Sequence, residues 1–302
     1  MEKFKELEKI LKKENIFYNE PMSKHTTMKV GGSAKVLVEP TDVDEIKSVI
    51  EFARKNDIQY YLLGKGSNLV VDDSGVDGIV IKISNKFANV RVENEKIYAE
   101  SGASMPLVSI EAQKNGLTGF EFACGIPGTI GGGIKMNAGA YGGEISDVVE
   151  SIEYIDEEEK ICNISANEAN FSYRDSIFKR NSNLVVLSAV FKLKAGKKDE
   201  IIAKMNENNA SRRAKQPIEL PNSGSVFKRP EGHFVGPMII ECGLQGKTVG
   251  GAQVSKKHAG FIVNIGGATS SDIKELIEII KKEVDKKFNV KLETEIQFIG
   301  GK

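Results

Sequence analysis

GIPGTIGGGIKMNAGAYGGE occupies residues 125–144 and contains eight glycines, with Pro127 and Asn137 among them. A glycine loses more backbone entropy on folding than any other residue, so this density indicates that something approaches the backbone closely. Large apolar residues alternate with the glycines, which favours a packed loop over a disordered linker. We therefore predict a packed loop against an extended ligand such as a pyrophosphate-linked dinucleotide.

A second glycine-containing turn lies upstream, in GKGSNLVV at residues 64–71. Small residues let backbone N–H groups approach an anion, and the Ser67 hydroxyl and Asn68 carboxamide add directed hydrogen bonds. The turn contains neither a Walker loop nor a GxGxxG pattern. On its own it fits an ordinary strand-to-loop turn better than a phosphate site.

Hydrophobic spacing around these turns predicts mixed secondary structure. We expect a helix from 43 to about 53 capped by Thr41 or Asp42, a helix beginning after Ser104, a polar helix from 198 to about 214, and a last helix capped by Thr269. Strands are expected at 60–63, 79–83, 148–155, 184–193, 261–265 and 295–299. The fold class is therefore α+β with two or three subdomains and a boundary near 195–200.

Composition narrows the functional class. The 302 residues contain 42 basic and 42 acidic side chains, so the chain lacks the net positive field of a nucleic-acid binder. We expect no nucleic-acid partner. The amphipathic N-terminus does not resemble a signal peptide, and no apolar run is long enough for a membrane span. We expect a cytoplasmic protein without a membrane partner.

Cysteine and histidine are sparse. Cys124, Cys162 and Cys242 are odd in number and far apart, which predicts reduced thiols rather than a disulfide framework or zinc site. The three histidines are also scattered. We expect no protein-bound metal.

Several motifs together resemble one enzyme family. HTTMKVGG at 25–32, GKGSNLVV, GIPGTIGG and NAGAYG resemble the flavin-binding half of the UDP-N-acetylenolpyruvoylglucosamine reductases, which have an FAD fold of the vanillyl-alcohol-oxidase type. YRDSIFK at 173–179, GSVFKRP at 224–230, KHAGFIVN at 257–264 and LETEIQFIG at 292–300 resemble the remaining family blocks, in the same order. The chain lacks an insertion between 171 and 179, so it resembles the shorter, second type.

The resemblance implies a two-subdomain FAD-binding fold over residues 1–197, divided at about 83/84, and a C-terminal α/β substrate-binding domain over 198–302. The last strand is a candidate to return to the flavin domain. Non-covalent FAD would be the cofactor and NADPH the co-substrate. UDP-N-acetylglucosamine-enolpyruvate would be reduced to UDP-N-acetylmuramate for peptidoglycan synthesis, by a monomer or weak oligomer.

The resemblance also implies a catalytic trio, Arg174 in YRDS, Ser225 in GSVF and Glu295 in TEIQF. Hydride from reduced flavin leaves enolate-like charge beside the substrate carboxylate, which Arg174 can pair in a bidentate fork. Ser225 would give the proton to carbon. Glu295 would donate a hydrogen bond in its protonated form or orient a neighbour.

The flavin contacts implied by the resemblance lie in the two glycine-rich segments. They are Gly64, Gly66, Ser67, Asn68, Gly125, Ile126, Pro127, Gly128, Thr129, Gly131, Gly132, Asn137, Ala138 and Gly139. Residues with weaker support are Lys215, Gln216, Arg229 and His258 for the nucleotide sugar, and Tyr173 near the flavin.

Two other functions stay open at this level. One is an FAD-linked oxidase or dehydrogenase of a small hydroxy acid, which the GSVFKRP block argues against. The other is a nucleotide-binding module without catalysis, which two separate glycine-rich loops argue against.

Overall fold

The computed structural model describes residues 2–301. The chain forms two compact units. Unit 1 contains residues 1–17, 37–65 and 79–212, and unit 2 contains residues 18–36, 66–78 and 213–302. From the sequence we predict an FAD-binding domain over 1–197 and a substrate-binding domain over 198–302. The two compact units divide the chain at other places.

The helices alternate with short strands. The helices are α1 (Val43–Lys55), α2 (Met105–Lys114), α3 (Ile130–Met136), α4 (Ile177–Arg180), α5 (Lys198–Lys215), α6 (Val235–Glu241) and α7 (Ser270–Phe288). The strands are β1 (Ile16–Pro21), β2 (Ser33–Val38), β3 (Tyr60–Leu63), β4 (Leu69–Val71), β5 (Val76–Lys82), β6 (Val90–Glu93), β7 (Lys96–Glu100), β8 (Leu117–Thr118), β9 (Gly139–Ala140), β10 (Gly143–Glu144), β11 (Val149–Ile155), β12 (Ile161–Ser165), β13 (Val185–Lys192), β14 (Lys194–Ala195), β15 (Asn222–Ser225), β16 (Thr248–Val249), β17 (Ala252–Val254), β18 (Phe261–Asn264) and β19 (Gln297–Ile299).

Unit 1 has its core on a five-stranded antiparallel sheet of order β12-β11-β13-β7-β6. Phe120 and Phe191 are fully buried there and meet edge to face at 4.9 Å. Helix α3 packs against β13 and β7. Also in unit 1, β3 pairs in parallel with β5, with Tyr60 opposite Ile79.

Unit 2 is built on an antiparallel sheet of order β15-β18-β17-β16. Helix α7 packs against β16 and β17 through its apolar stripe, because Ile273, Leu276, Ile280 and Val284 are all buried. Strand β19 pairs in parallel with β4, with Gln297 opposite Leu69. Strand β19 is therefore the hydrogen-bonded neighbour of β4, the strand that follows loop 64–68.

Most sequence-based elements are confirmed. Asp42 caps α1 by accepting from the Glu45 N–H at 2.8 Å, and Thr269 and Asp272 form the expected capping box of α7. The expectation of a loop throughout 125–144 is wrong for residues 130–136, which form α3. Burial of Ile130 and Ile134 outweighs the poor helix propensity of three consecutive glycines.

Candidate functional site

Loop 64–68 presents a run of backbone donors. Within residues 2–301, none of the N–H groups of residues 64–68 donates to a protein acceptor. Gly66 has φ +61°, and such left-handed residues bend successive amides toward one point. In unit 2, the N–H groups of Gly66, Ser67 and Asn68 are thus available to an anion.

The two glycines of this loop are required by the protein itself. A Cβ on Gly64 would lie 2.4 Å from Thr129 Oγ1, in unit 1. A Cβ on Gly66 would lie 2.3 Å from the His25 carbonyl oxygen, in unit 2. Close approach of neighbouring protein atoms is therefore sufficient to explain why both positions are glycine.

A cleft in unit 1 lies beside the N-terminus of α3. Its lining comprises Leu62, Leu63, Gly64, Ile83, Ser101, Thr129, Gly131, Gly132, Lys135, Phe178, Leu184 and Val186. It encloses 480 Å³ of space free of atoms, counting its open mouth. Four predicted flavin contacts, Gly64, Thr129, Gly131 and Gly132, therefore meet at one mainly apolar cleft.

The cleft fits part of a bound cofactor by two independent observations. A Cβ on Gly132 would meet only Thr129 Oγ1, at an ordinary 3.5 Å, so the protein does not need glycine there. The hydroxyl of Ser101 is buried and has no hydrogen-bond partner in the described chain. A glycine that the protein's own packing does not require, together with an unsatisfied buried hydroxyl at the same cleft, indicates that another molecule binds there.

Lys135 is a cleft residue that the sequence reasoning missed. Burial, followed by the nearby charge of Lys179, lowers the pKa of its ammonium group. No acceptor for that group is found among residues 2–301, although the Lys135 carbonyl accepts from Ser176 Oγ at 2.8 Å. In the sequence, the one feature that could have indicated it is the position of a lysine between two apolar residues, Ile134 and Met136.

Arg174 lies in unit 1 on a tight turn. Ser172 and Asp175 exchange two backbone hydrogen bonds of 3.1 Å, which leaves Tyr173 and Arg174 at the tip. Arg174 has φ +57°, a left-handed conformation that costs a non-glycine residue about 1–2 kcal/mol. Its Nη2 donates to the Gly139 carbonyl at 2.9 Å. Strain at this position marks the turn as a functional candidate.

Asn137 is fully buried at the C-terminal cap of α3. Its Nδ2 donates to Glu144 Oε1 at 2.9 Å and to the Ser172 carbonyl at 3.1 Å, and its Oδ1 accepts from the Ser146 N–H at 3.0 Å. Both amide protons are thus used within the protein. From the sequence, Asn137 is predicted to be among the residues that contact the flavin.

Ser225 and Glu295 lie close together in unit 2. Ser225 ends β15, and the next residue, Val226, accepts from the Glu295 N–H at 2.8 Å. The Ser225 hydroxyl is exposed, and within the described residues no hydrogen bond uses it. Gly224, with φ +77°, turns the strand just before it.

Asn68 connects its loop to the Glu295 segment. Asn68 Nδ2 donates to the Glu295 carbonyl at 3.2 Å, and the Asn68 carbonyl accepts from the Gln297 N–H at 3.0 Å. One of the two Asn68 amide protons is therefore used inside unit 2.

The remaining predicted flavin contacts lie in two segments of unit 1. One is the turn at residues 125–128, and the other is the segment that follows α3. The Gly125 carbonyl accepts from the partly buried guanidinium of Arg212, whose pKa is lowered by burial. Ala138 and Gly139 follow Asn137, and Ala138 accepts from the Ile145 N–H at 3.0 Å. Sequence reasoning did not identify Arg212 as the residue that holds Gly125.

The candidates for nucleotide-sugar binding are dispersed. Lys215 ends α5 in solvent, and Gln216 follows it. In unit 2, Arg229 stacks on Phe234 at 3.9 Å. His258 accepts from the Gly260 N–H through Nδ1 at 3.1 Å, and burial lowers the pKa of its ring.

Among residues 2–301, no three His, Cys, Asp or Glu side chains gather as metal ligands. No helix in that range combines the length and apolarity needed to cross a bilayer. The three cysteines are free.

Two protein-family models match the chain. The model described as FAD binding domain covers residues 34–165. The model described as UDP-N-acetylenolpyruvoylglucosamine reductase, C-terminal domain, covers residues 216–299.

Similar proteins extend over nearly the whole chain. A UDP-N-acetylenolpyruvoylglucosamine reductase of Clostridium botulinum is 46% identical over 295 residues, which are 98% of this chain and 96% of that protein. One of Caldanaerobacter subterraneus subsp. tengcongensis is 48% identical over 296 residues, 98% of this chain and 97% of that protein.

Solved structures agree with these matches. The crystal structure of UDP-N-acetylenolpyruvylglucosamine reductase from Thermus caldophilus has a TM-score of 0.79 at 34% identity, covering 94% of this chain and 97% of that one. A glucose dehydrogenase has a TM-score of 0.52 at 16% identity, covering 66% of this chain and 45% of that one, and shares the fold alone.

Proposed function

The chain belongs to the UDP-N-acetylenolpyruvoylglucosamine reductase family, and on that premise we propose that Arg174, Ser225 and Glu295 are its catalytic residues. The predicted fold class is confirmed, as an FAD-binding domain of the vanillyl-alcohol-oxidase type followed by the C-terminal domain of the family.

The chain is an FAD-dependent oxidoreductase that reduces the enolpyruvyl group of UDP-N-acetylglucosamine-enolpyruvate, with NADPH as co-substrate, in peptidoglycan precursor synthesis. FAD, when bound, supplies two-electron storage, so that NADPH and the nucleotide sugar need not bind together. The protein must hold both reactants, stabilise charge on the substrate and deliver a proton.

Arg174 is proposed to neutralise the substrate carboxylate. As hydride reaches the terminal carbon, negative charge spreads from the double bond into that carboxylate. A guanidinium can meet both carboxylate oxygens, whereas an ammonium ion acts as a point charge. The hydrogen bond from Arg174 Nη2 to Gly139 fixes one side of the group and supports this role.

Ser225 is proposed to protonate the carbon that carries the developing charge. Its hydroxyl is exposed and has no protein partner in residues 2–301, so it is available to a ligand. Glu295, on the segment hydrogen-bonded to Val226, is proposed to stabilise the same charge as a hydrogen-bond donor or to orient a neighbour.

We propose that the flavin cofactor is held at loop 64–68 and at the cleft beside α3. The unbonded amides of the loop support a pyrophosphate contact. Gly132 and the buried Ser101 hydroxyl support occupation of the cleft. Lys135 is proposed as a further contact, because a half-buried ammonium ion without a protein acceptor suits an anionic or carbonyl group.

We also propose which part of the chain binds each ligand. The nucleotide sugar is assigned to residues 198–302 and the flavin to 1–197, with the segment after 295 shared through the pairing of β19 with β4. We propose a cytoplasmic location, where NADPH is available, and a monomer or weak oligomer. Size-exclusion chromatography with light scattering tests the oligomeric state.

The observation that carries the function is identity of 46–48% to reductases over 98% of the chain. The test is an absorbance spectrum of the purified protein, followed by acid precipitation. We expect flavin bands, their release into the supernatant, and NADPH oxidation that depends on the enolpyruvyl substrate. Re-oxidation by dioxygen alone would favour the oxidase, and a colourless protein that binds uridine nucleotides would favour the non-catalytic module.

A further inference from the structure

We propose that Asn137 is a positioning residue for Arg174 rather than a flavin contact. The inference rests on the proposed catalytic role of Arg174. It deepens that role by identifying what holds the arginine in its strained conformation.

Asn137 contacts the Arg174 turn directly. One proton of its amide goes to the carbonyl of Ser172, the first residue of the turn, at 3.1 Å. From the opposite end, Lys179 Nζ donates to the carbonyl of Arg174 itself at 2.9 Å. The carbonyls on both sides of the tip are therefore held by side chains, in addition to the bonds that close the turn.

The same asparagine also fixes the group that receives the guanidinium. Its second amide proton goes to Glu144 Oε1 at 2.9 Å. Glu144 is paired with Gly139 in the β9–β10 hairpin, and the Gly139 carbonyl accepts from Arg174 Nη2. Asn137 thus ties both the backbone of Arg174 and its side-chain acceptor to the end of α3.

Burial separates this role from cofactor binding. The side chain of Asn137 has no exposed surface, both of its amide protons are used, and its carbonyl oxygen accepts from Ser146. Its backbone is also left-handed, with φ +42°, a conformation that asparagine adopts more readily than most residues. The position therefore selects asparagine for shape and hydrogen bonding inside the protein.

The test uses Asn137→Asp and Asn137→Gly. Aspartate keeps the volume and the acceptor for Ser146 but cannot donate to Ser172, while glycine keeps the backbone conformation and removes the side chain. We expect FAD affinity and flavin reduction by NADPH within about twofold of wild type. Reoxidation by the enolpyruvyl substrate should fall about tenfold or more, because a small misplacement of a charge-stabilising group is costly.

Asn289→Gly is the matched control. Asn289 is also a left-handed C-cap, with φ +54°, at the end of α7 in unit 2, where it is exposed. The same chemical change there should leave both half-reactions at wild-type rates. Slowing in this control would attribute the effect to loss of a helix cap in general and overturn the inference.

A double-mutant cycle with Arg174→Lys distinguishes positioning from a general structural role. If Asn137 acts through the arginine, Asn137→Asp should slow an Arg174→Lys enzyme by less than about threefold, because coupled residues are not additive. Additive losses, or weaker FAD binding with both half-reactions slowed, would overturn the inference. If Arg174→Lys is slow and the Asn137 variants are not, the inference alone fails. If Arg174→Lys reoxidises normally, the proposed catalytic role fails and the inference fails with it.

Discussion

Gly132→Ala should raise the stability of the protein without FAD and lower its stability with FAD. Gly132 is the third residue of α3, and a Cβ there would meet only Thr129 Oγ1 at 3.5 Å. The apoprotein should therefore gain about 0.5–1 kcal/mol in free energy of unfolding, the usual difference between alanine and glycine in a helix. The substitution can lower the free energy of unfolding in the presence of FAD only if the cofactor occupies the space beside this backbone.

The opposing loss can be worked out from the cleft. An extra methyl group in a packed contact costs about 1–3 kcal/mol, so FAD affinity should fall about tenfold or more. With FAD at 100 times the wild-type dissociation constant, binding adds about 2.7 kcal/mol to stability. A tenfold weaker complex gains only about 1.4 kcal/mol at the same concentration, so binding contributes about 1.3 kcal/mol less than in wild type. This loss exceeds the helix gain of about 0.5–1 kcal/mol and leaves the loaded variant less stable.

The assay is urea unfolding with and without FAD, together with FAD titration followed by flavin fluorescence. Gly236→Ala is the control, because it also lies near the start of a short helix, α6, where the nearest atoms would be 3.9 Å from the new Cβ. It should not change FAD affinity. Unaltered FAD affinity in Gly132→Ala would show that the cofactor does not contact this part of the cleft.

Four further results are expected. Ser225→Ala should leave flavin reduction by NADPH near wild type and slow reoxidation by roughly 10²–10⁴-fold in rapid mixing, and the opposite pattern would make this serine structural. Initial-rate plots should be parallel, with inhibition by excess nucleotide sugar, since both reactants approach the same flavin; intersecting lines would indicate simultaneous binding. Lys135→Met should weaken FAD binding by about tenfold, the cost of one charge-assisted hydrogen bond, and unchanged affinity would make this lysine structural. The hydrogen bond from Lys274 lowers the pKa of Asp72 to about 2, so its contribution to stability should be complete above an unfolded pKa of about 4 and lost as pH falls toward 2; in urea unfolding across that range, Asp72→Asn should differ from wild type at pH 6 and converge with it near pH 2.

The regular elements could be predicted because local signals and tertiary packing agree there. The stripe of α7, its capping box and the strand at 60–63 all appear in the structure as the sequence indicates. Helix α3 could not be predicted, since glycines at 131–133 disfavour a helix and tertiary burial of residues such as Ile130 and Ile134 sustains it.

For the candidate site, the sequence indicates residue types but not which atoms approach them. Glycine density indicated close approach to the backbone, yet the approaching atoms at Gly64 and Gly66 are those of Thr129 and His25. Sequence spacing does not distinguish a neighbouring chain segment from a ligand. Lys135 and Arg212 were missed for a related reason, because burial of a charged side chain is set by tertiary packing.

The pairing of β4 with β19 joins two strands that are synthesised far apart in time. The Asn68 and Glu295 that are hydrogen-bonded at this junction are 227 residues apart in the chain. At about 5–20 residues per second, the ribosome needs roughly 10–45 s to add that length. Throughout this interval the apolar strand Leu69–Val71 lacks β19, the strand with which it forms a two-stranded sheet, and its backbone is open to chaperones and to wrong pairing. The strand that follows loop 64–68 can therefore pair only after about 227 further residues have been added.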